Sequence, residues 1–327
     1  GSYPALFLSA FEPLKAMKAK VTKKAPLRKI LVSVQLSVVI FVLIGTGLIY
    51  EQLQYVRNKY LGFDKHHVIK LTLPSVTEKI KTGALQNTLK ENQNILSVGT
   101  STFTPGADDM GKRPVAVDGS EVQDQKFVRF GRIDFDFFKT MGIEFSSGRN
   151  FSPEFPGDSS AVIVNESFVK EFDLKEPIGD KVRQGGKGNP KFFTIVGVIK
   201  DFHQSSLYNP IDPQMFLFEP STHLFIKVQG DVKTGLAQIQ NVWEQYFPDE
   251  SFSYMFLDDQ LEDGYKGDQI RARVFLTLSI LTVFIAFLGL FGLASYLATQ
   301  RIKEIGVRKI LGASVRDVII LITSDFI

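Results

Sequence analysis

The sequence predicts a membrane protein of the α+β class, in which transmembrane helices flank a large exported domain built as a β-α-β sheet lobe with an inserted β-rich lobe. Three observations carry this reading. Two uncharged apolar runs, residues 30–49 and 274–298, are each long enough to cross a bilayer. Lys and Arg collect just before the first run and just after the second. At both ends of the stretch between them, a strand periodicity gives way to a helical one and returns.

The first run begins after a basic block. Residues 1–29 hold Lys15, Lys18, Lys20, Lys23, Lys24, Arg28 and Lys29 against the single acid Glu12. Residues 30–49 then carry only Ser33, Gln35, Ser37 and Thr46 as polar side chains, and as a helix they reach about 30 Å, the thickness of the bilayer core. A cleaved signal peptide does not fit: the run is too long, starts near residue 30 and is followed by no small-residue cleavage site. Residues 274–298 are uncharged and somewhat longer, which allows tilt. The second basic block, Arg301, Lys303, Arg308, Lys309 and Arg316, follows directly.

Lys/Arg-rich flanks stay cytoplasmic, so both ends of the chain are expected inside and residues 51–273, net acidic, outside. The overall charge of +3 is thus a near-cancellation, and it gives no reason to expect nucleic acid as a partner. With no Cys in 327 residues, disulfides, thiol nucleophiles and Cys-ligated metal sites are excluded. An exported domain of this size without Cys fits a bacterial periplasm better than a eukaryotic ectodomain. The chain starts without Met and stops inside a new apolar run, 318–327, so it reads as an internal piece of a longer polytopic protein. On that reading 1–29 is the cytoplasmic tail of a preceding module, 299–314 a cytoplasmic segment, and 315–327 the start of a truncated transmembrane helix.

Within the exported part, residues 51–60 extend the first span and 61–64 end it. A strand at 68–73, a helix at 76–92 (Val76, Ile80, Ala84, Leu89) and a strand at 95–103 follow. The far end repeats the layout: a strand at 224–228, a helical face of Val232, Leu236, Ile239, Trp243 and Tyr246, and alternating Phe252, Tyr254 and Phe256. The two β-α-β units, 68–104 and 221–257, can share one membrane-proximal sheet. Residues 105–220, punctuated by Gly and Pro, form the inserted lobe with strands at 126–132, 161–164 and 192–200; one undivided α+β domain is the alternative. Phe127, Phe130, Phe135, Phe137 and Phe138 are expected to pack a core, since Phe has no polar handle. Residues 258–273 are expected to continue the second span outward as a rigid stalk.

No catalytic constellation emerges. His66 and His67 are adjacent, and with His203 and His223 they show no metal-ligand spacing. Residues 184–189 are Gly-rich but lack the spacing and the Ser/Thr of a phosphate loop, so they read as a hairpin tip. Asp258, Asp259, Glu262, Asp263 and Asp268 read as a solvated helix face. In the second span, Gly289, Gly292, Ser295 and Thr299 form a small-residue stripe that permits close helix contact.

The most specific stretch is cytoplasmic. Residues 298–314 form a short charged helix with Glu304 four residues before Arg308, ended by Gly312 as a left-handed cap, after which Ser314 caps a new helix. Its motif, RIKEIGVRKILGAS, resembles the signature that follows the second transmembrane helix in MacB/FtsX-like permeases of ABC transporters. Residues 2–18 (SYPALFLSAFEPLKAMK) resemble that family's tail signature, and 164–182 and 192–213 resemble its periplasmic domain. Because the tail motif here precedes a span, the resemblance implies the junction of a tandem eight-span permease of the kind common in Bacteroidetes-type bacteria.

The resemblance further implies a protein of the bacterial inner membrane that is not itself an enzyme and binds no cofactor, ATP being held by a cytoplasmic ATPase partner. Arg301, Lys303, Glu304, Ile305, Gly306, Arg308, Lys309, Gly312 and Ala313 would lie against that ATPase. ATP-driven movement would pass through the spans to a MacB-like periplasmic domain, in a dimeric or pseudo-dimeric permease that works with a periplasmic adaptor. Nothing in residues 51–273 selects a cargo. A two-span sensor shares the plan, but it requires sustained heptads after the second span, and the chain turns at Gly312 instead.

Overall fold

The computed structural model describes residues 25–74, 79–118, 124–185, 190–205, 207, 209–219, 221, 223–300, 302–312, 314 and 316. Its first element, α1 (Ala25–Asn58), is 34 residues long. At ~1.5 Å per residue it is longer than a bilayer core. The chain leaves α1 through Leu61 and Gly62, where Gly62 takes φ +88° and a Cβ would come within 2.7 Å of the Asp201 carbonyl oxygen. Only glycine fits both the turn and that approach.

Next come β1 (Val68–Thr72), α2 (Lys79–Lys90) and β2 (Ile95–Ser101), then β3 (Lys112–Val117), β4 (Lys126–Ile133), α3 (Phe137–Met141) and β5 (Phe145–Gly148). They are followed by β6 (Ala161–Asn165), α4 (Glu166–Glu171), β7 (Lys181–Gln184), β8 (Lys191–Ile199) and β9 (Gln214–Phe218). The second β-α-β unit is β10 (His223–Val228), α5 (Val232–Tyr246) and β11 (Tyr254–Phe256). Three helices close the described chain: α6 (Leu257–Gly264), α7 (Lys266–Gln300) and α8 (Ile302–Ile310). Backbone contacts separate the two ends of the chain from a unit of Tyr55–Gly267.

The two β-α-β units do share a sheet, and they interleave. Strand order is β11-β1-β10-β2, with β10 antiparallel to both neighbours. Each unit is therefore split by a strand of the other. Alternation along β1 sends Ile69 and Leu71 to a core with Leu85 and Leu89 of α2 and Ile239 and Trp243 of α5. Asp231 caps α5 by accepting from the Lys233 and Thr234 amides.

Residues 105–220 hold a feature that periodicity did not reveal. β4, β3, β7, β8, β6 and β9 pair in sequence around a ring, and β9 closes it by pairing in parallel with β4. Closure leaves that ring without an open edge. It joins the first sheet where Ser101 of β2 faces Ile133 of β4. Val115, Val128, Val162, Val164, Val182, Ile195 and Met215 fill its interior.

A third core lies under α3, where Phe138 meets Phe216 edge-on (5.4 Å, 86°) and Phe137 meets Phe225 at 72°. Phe137 and Phe138 are buried as expected and Phe130 and Phe135 partly so, but Phe127 is 67% exposed. Its neighbour Val128 takes the inward place on β4, and a strand turns successive side chains to opposite faces. β7 and β8 are antiparallel neighbours with Gln184 opposite Lys191, while residues 186–189 lie outside the described residues.

The continuous stalk over 258–273 is not formed. α6 ends at Gly264, the Tyr265 amide returns to the Glu262 carbonyl, and α7 starts at Lys266. Leu257 and Leu261 are buried in the phenylalanine-rich core, which holds α6 on the sheet.

A Cβ at Gly99 on β2 would sit 2.6 Å from the Phe137 Cα, whereas one at Gly83 on α2 meets nothing within 4 Å. Gly99→Ala should lower stability by about 1–3 kcal/mol. Gly83→Ala should raise it by about 0.5–1 kcal/mol. Urea unfolding followed by the fluorescence of Trp243, the one tryptophan, reads both.

Candidate functional site

The candidate site comprises the two long apolar helices α1 and α7, the residues that fasten the unit between them near each helix in sequence, and the charged helix α8. α1 and α7 contain stretches long and apolar enough to cross a membrane, Val32–Val56 and Lys266–Gly292. Side chains of α1 that are not fully exposed recur at Val32, Gln35, Val39, Val42, Thr46, Ile49 and Leu53, alternating three and four residues apart. That spacing marks one helix face.

From it the Thr46 hydroxyl meets the Ser279 hydroxyl of α7 at 2.5 Å, and the Gln35 amide lies beside Gly289, where a Cβ would be 2.7 Å from its Nε2. The helices therefore run antiparallel. Thr46 and Ser279 also reach back to the carbonyls of Val42 and Phe275, at 2.8 and 2.7 Å. Two hydroxyl protons serve three contacts, so while the cross-helix bond is made one of the two carbonyls goes without a hydroxyl proton.

Of the small-residue stripe, Gly289 lies against Gln35, Gly292 has open space around it, and Ser295 is exposed. Sequence reasoning missed Ser279 and Ala286, which are 2% and 6% exposed. Their signal was the seven-residue repeat of small residues Ala272, Ser279 and Ala286, read together with the few polar side chains of the first run.

After α1, Asp64 pairs with Lys227 of β10, accepts from the His66 amide at 3.0 Å, and gives its own amide to the Met141 carbonyl at 2.7 Å. Burial alone would raise the Asp64 pKa, but the Lys227 hydrogen bond and the other contacts outweigh it and hold the carboxyl below its usual value.

Before α7, Lys70 of β1 donates to the Thr104 hydroxyl at 2.6 Å and reaches Gln260 of α6 at 3.5 Å. Burial lowers the Lys70 pKa, against the pull of Asp109, and burial raises that of Asp109. Leu261 of α6 seats on Gly106, which has φ +82° and no room for a Cβ. Nearby His223 is pushed down to about 4 by burial and then by the Lys70 charge.

In α8, Ile302, Val307 and Ile310 are between 58% and 87% exposed, and Leu311, in the turn that follows, is 80% exposed. Arg308 is exposed, and Ile305 and Gly306 are half-buried. Gly312 takes φ +93°, the left-handed geometry expected of the cap. Arg301, Ala313 and the side chains of Lys303, Glu304 and Lys309 lie outside the described residues, and with them the expected Glu304–Arg308 pair. The motif at 2–18 and the apolar run at 318–327 also lie outside.

Residues 36–246, about two thirds of the chain, match the MacB-like periplasmic core domain, and residues 276–326 match the FtsX-like permease C-terminal domain. The chain belongs to the MacB/FtsX-like ABC transporter permeases. The permease is 24% identical over 191 residues to the ABC transporter permease YknZ of Bacillus subtilis (strain 168), covering 54% of this chain and 47% of that one. It is 24% identical over 229 residues to the macrolide export ATP-binding/permease protein MacB of Bartonella quintana (strain Toulouse), covering 61% and 33%. The permease thus spans less than half the length of each of these relatives.

Among solved structures it is similar to the periplasmic region of MacB from Actinobacillus actinomycetemcomitans, with TM-score 0.44, 14% identity, and 63% of this chain and 94% of that one covered. It is also similar to the extracellular domain of YknZ from Gram-positive bacteria, with TM-score 0.41, 12% identity, and 57% and 97% covered.

Two outcomes test this geometry. A double-mutant cycle of Thr46→Val and Ser279→Ala, read as unfolding in mixed micelles, should give a coupling of about 0.6 kcal/mol. His223 binds its proton in the unfolded chain near pH 6.5 and in the folded chain only near 4, so stability should fall as pH drops through that interval. His223→Gln should flatten that fall in a series of melting curves.

Proposed function

We propose that this chain is the part of an inner-membrane permease that carries ATP-driven movement from a cytoplasmic ATPase to a periplasmic domain, for export or extraction of a substrate at the cell envelope. The observation that carries the reading is α8, a basic helix that follows α7 by one residue and lies within the matched FtsX-like segment; it exposes Val307 and Ile310, and Leu311 just after it is exposed as well. A charged helix with solvent-facing Ile and Leu calls for a covering partner.

In this reading both ends of the chain are cytoplasmic, α1 and α7 are two spans of a tandem eight-span protein, and ATP is bound by the partner alone. Arg301, Lys303, Glu304, Ile305, Gly306, Arg308, Lys309, Gly312 and Ala313 form the contact surface. Outside, the four interleaved strands make the membrane-proximal lobe and 105–220 the inserted lobe, a surface for a periplasmic adaptor. Two such modules pair as a dimer or pseudo-dimer. Movement enters the domain through Asp64–Lys227 after the first span and through α6 before the second. Macrolide export belongs to the MacB relative, and the cargo here is left unassigned.

The test is ATPase activity of the full-length permease co-purified with its ATPase in nanodiscs. Glu304→Arg and Ile310→Asp should each lower stimulated hydrolysis about fivefold or more, the cost of losing a central interface residue. The Trp243-reported unfolding midpoint should stay unchanged. Full stimulation in both variants would remove α8 from the contact.

A further inference from the structure

A pocket of about 490 Å³ opens in the exported unit among Lys59, Tyr60, Phe63, Asp64, Lys65 and His66. Its charge is uncompensated. The Asp64 carboxylate is already held by Lys227 and the His66 amide. The Lys59 ammonium rests over the Tyr55 ring, 5.4 Å from its centroid, and has no carboxylate partner among the described residues. Lys65 has no ion-pair partner among them either. His203 nearby is held below its usual pKa by burial and then by the Lys59 charge, against the opposing pull of Asp201.

Place in the chain narrows the ligand. The uncharged run ends at Ile49 and the apolar stretch of α1 at Val56, so Lys59 follows them by about 15 and 5 Å of helix rise, which places the rim at the outer part of the lipid headgroup layer. Tyr50, Tyr55 and Tyr60, each more than 60% exposed, supply the aromatic side chains that favour this depth. Buried Leu61 and Phe63 give the pocket an apolar floor beneath its cationic rim.

We propose that this pocket binds a phosphate-bearing anion, and that the source is the headgroup phosphodiester of an anionic phospholipid in the periplasmic leaflet. Lys59 and Lys65 hold the phosphate oxygens, and Tyr60 and the apolar floor take the glycerol end. The lipid assignment rests on α1 crossing the membrane with this unit outside.

The test is lipid retention by the full chain, purified in detergent and titrated with phosphatidylglycerol, with phosphatidylcholine, and with inorganic phosphate in excess; bound lipid is counted by native mass spectrometry. One phosphatidylglycerol should bind about tenfold more tightly than phosphatidylcholine and lose at least that preference in the Lys59→Glu/Lys65→Glu variant. Lys59→Gln/Lys65→Gln should lose most of it with a smaller change of charge, and Lys233→Glu, on α5, none.

Displacement of the lipid by inorganic phosphate would overturn the lipid source and leave a free-phosphate site. Phosphatidylglycerol retention that is unchanged in both double variants would overturn the pocket itself. The topology is read separately, since the chain has no Cys: Lys175→Cys should react with an impermeant maleimide added outside spheroplasts. Its failure with lipid binding intact would sink the orientation and spare the site.

Discussion

The pairing of β1 with β10 organises the exported unit. Val68 lies opposite Lys227 and Thr72 opposite His223, so the first strand after one membrane helix is bonded along its length to a strand that precedes the other. Everything from β2 to β9 is an excursion from that pair. Because β10 also pairs with β2, the excursion begins and ends on the same strand, and the ring of six strands grows from its rim. Asp64–Lys227 and Lys70–Gln260 lie at the two flanks of the pair, each tying a strand to the segment that runs toward a membrane helix.

Where local pattern decides structure, the sequence was readable. The face of Leu236, Ile239 and Trp243 needed only its helical spacing, and the shared sheet needed two β-α-β patterns and a reason to bring them together. The ring did not announce itself, because parallel closure of β9 on β4 joins strands some eighty residues apart and leaves no period in either. Phe127 shows the limit in one residue: its chemistry says core, but strand parity gave the inward place to Val128. The break at Tyr265 was hidden in the same way, since nothing between 258 and 273 marks Leu257 and Leu261 as belonging to the core of another element.

In the membrane helices, polarity carried more information than size. Gly289, Gly292 and Ser295 are all small, yet only Gly289 lies beside a polar side chain of the other helix. Thr46 and Ser279 are the informative residues because a hydroxyl on an apolar helix face finds its partner on the facing helix. Those two helices meet at a hydroxyl pair and at Gln35 beside Gly289, whereas the unit between them is held by hydrogen-bonded strand ladders.

The interleaved sheet also fixes an order of assembly during secretion. β1 and β2 lie on either side of β10 and cannot touch each other without it, since two strand spacings, about 10 Å, separate them. A chain made from its N-terminus delivers β1 and β2 early and β10 and β11 last. The nascent domain must therefore hold two unsatisfied strands while the intervening ring emerges and closes. Completion of the sheet, by β10 and then β11, comes immediately before the two helices that close the unit and leave it, so the domain becomes whole only as its last flanking helix follows.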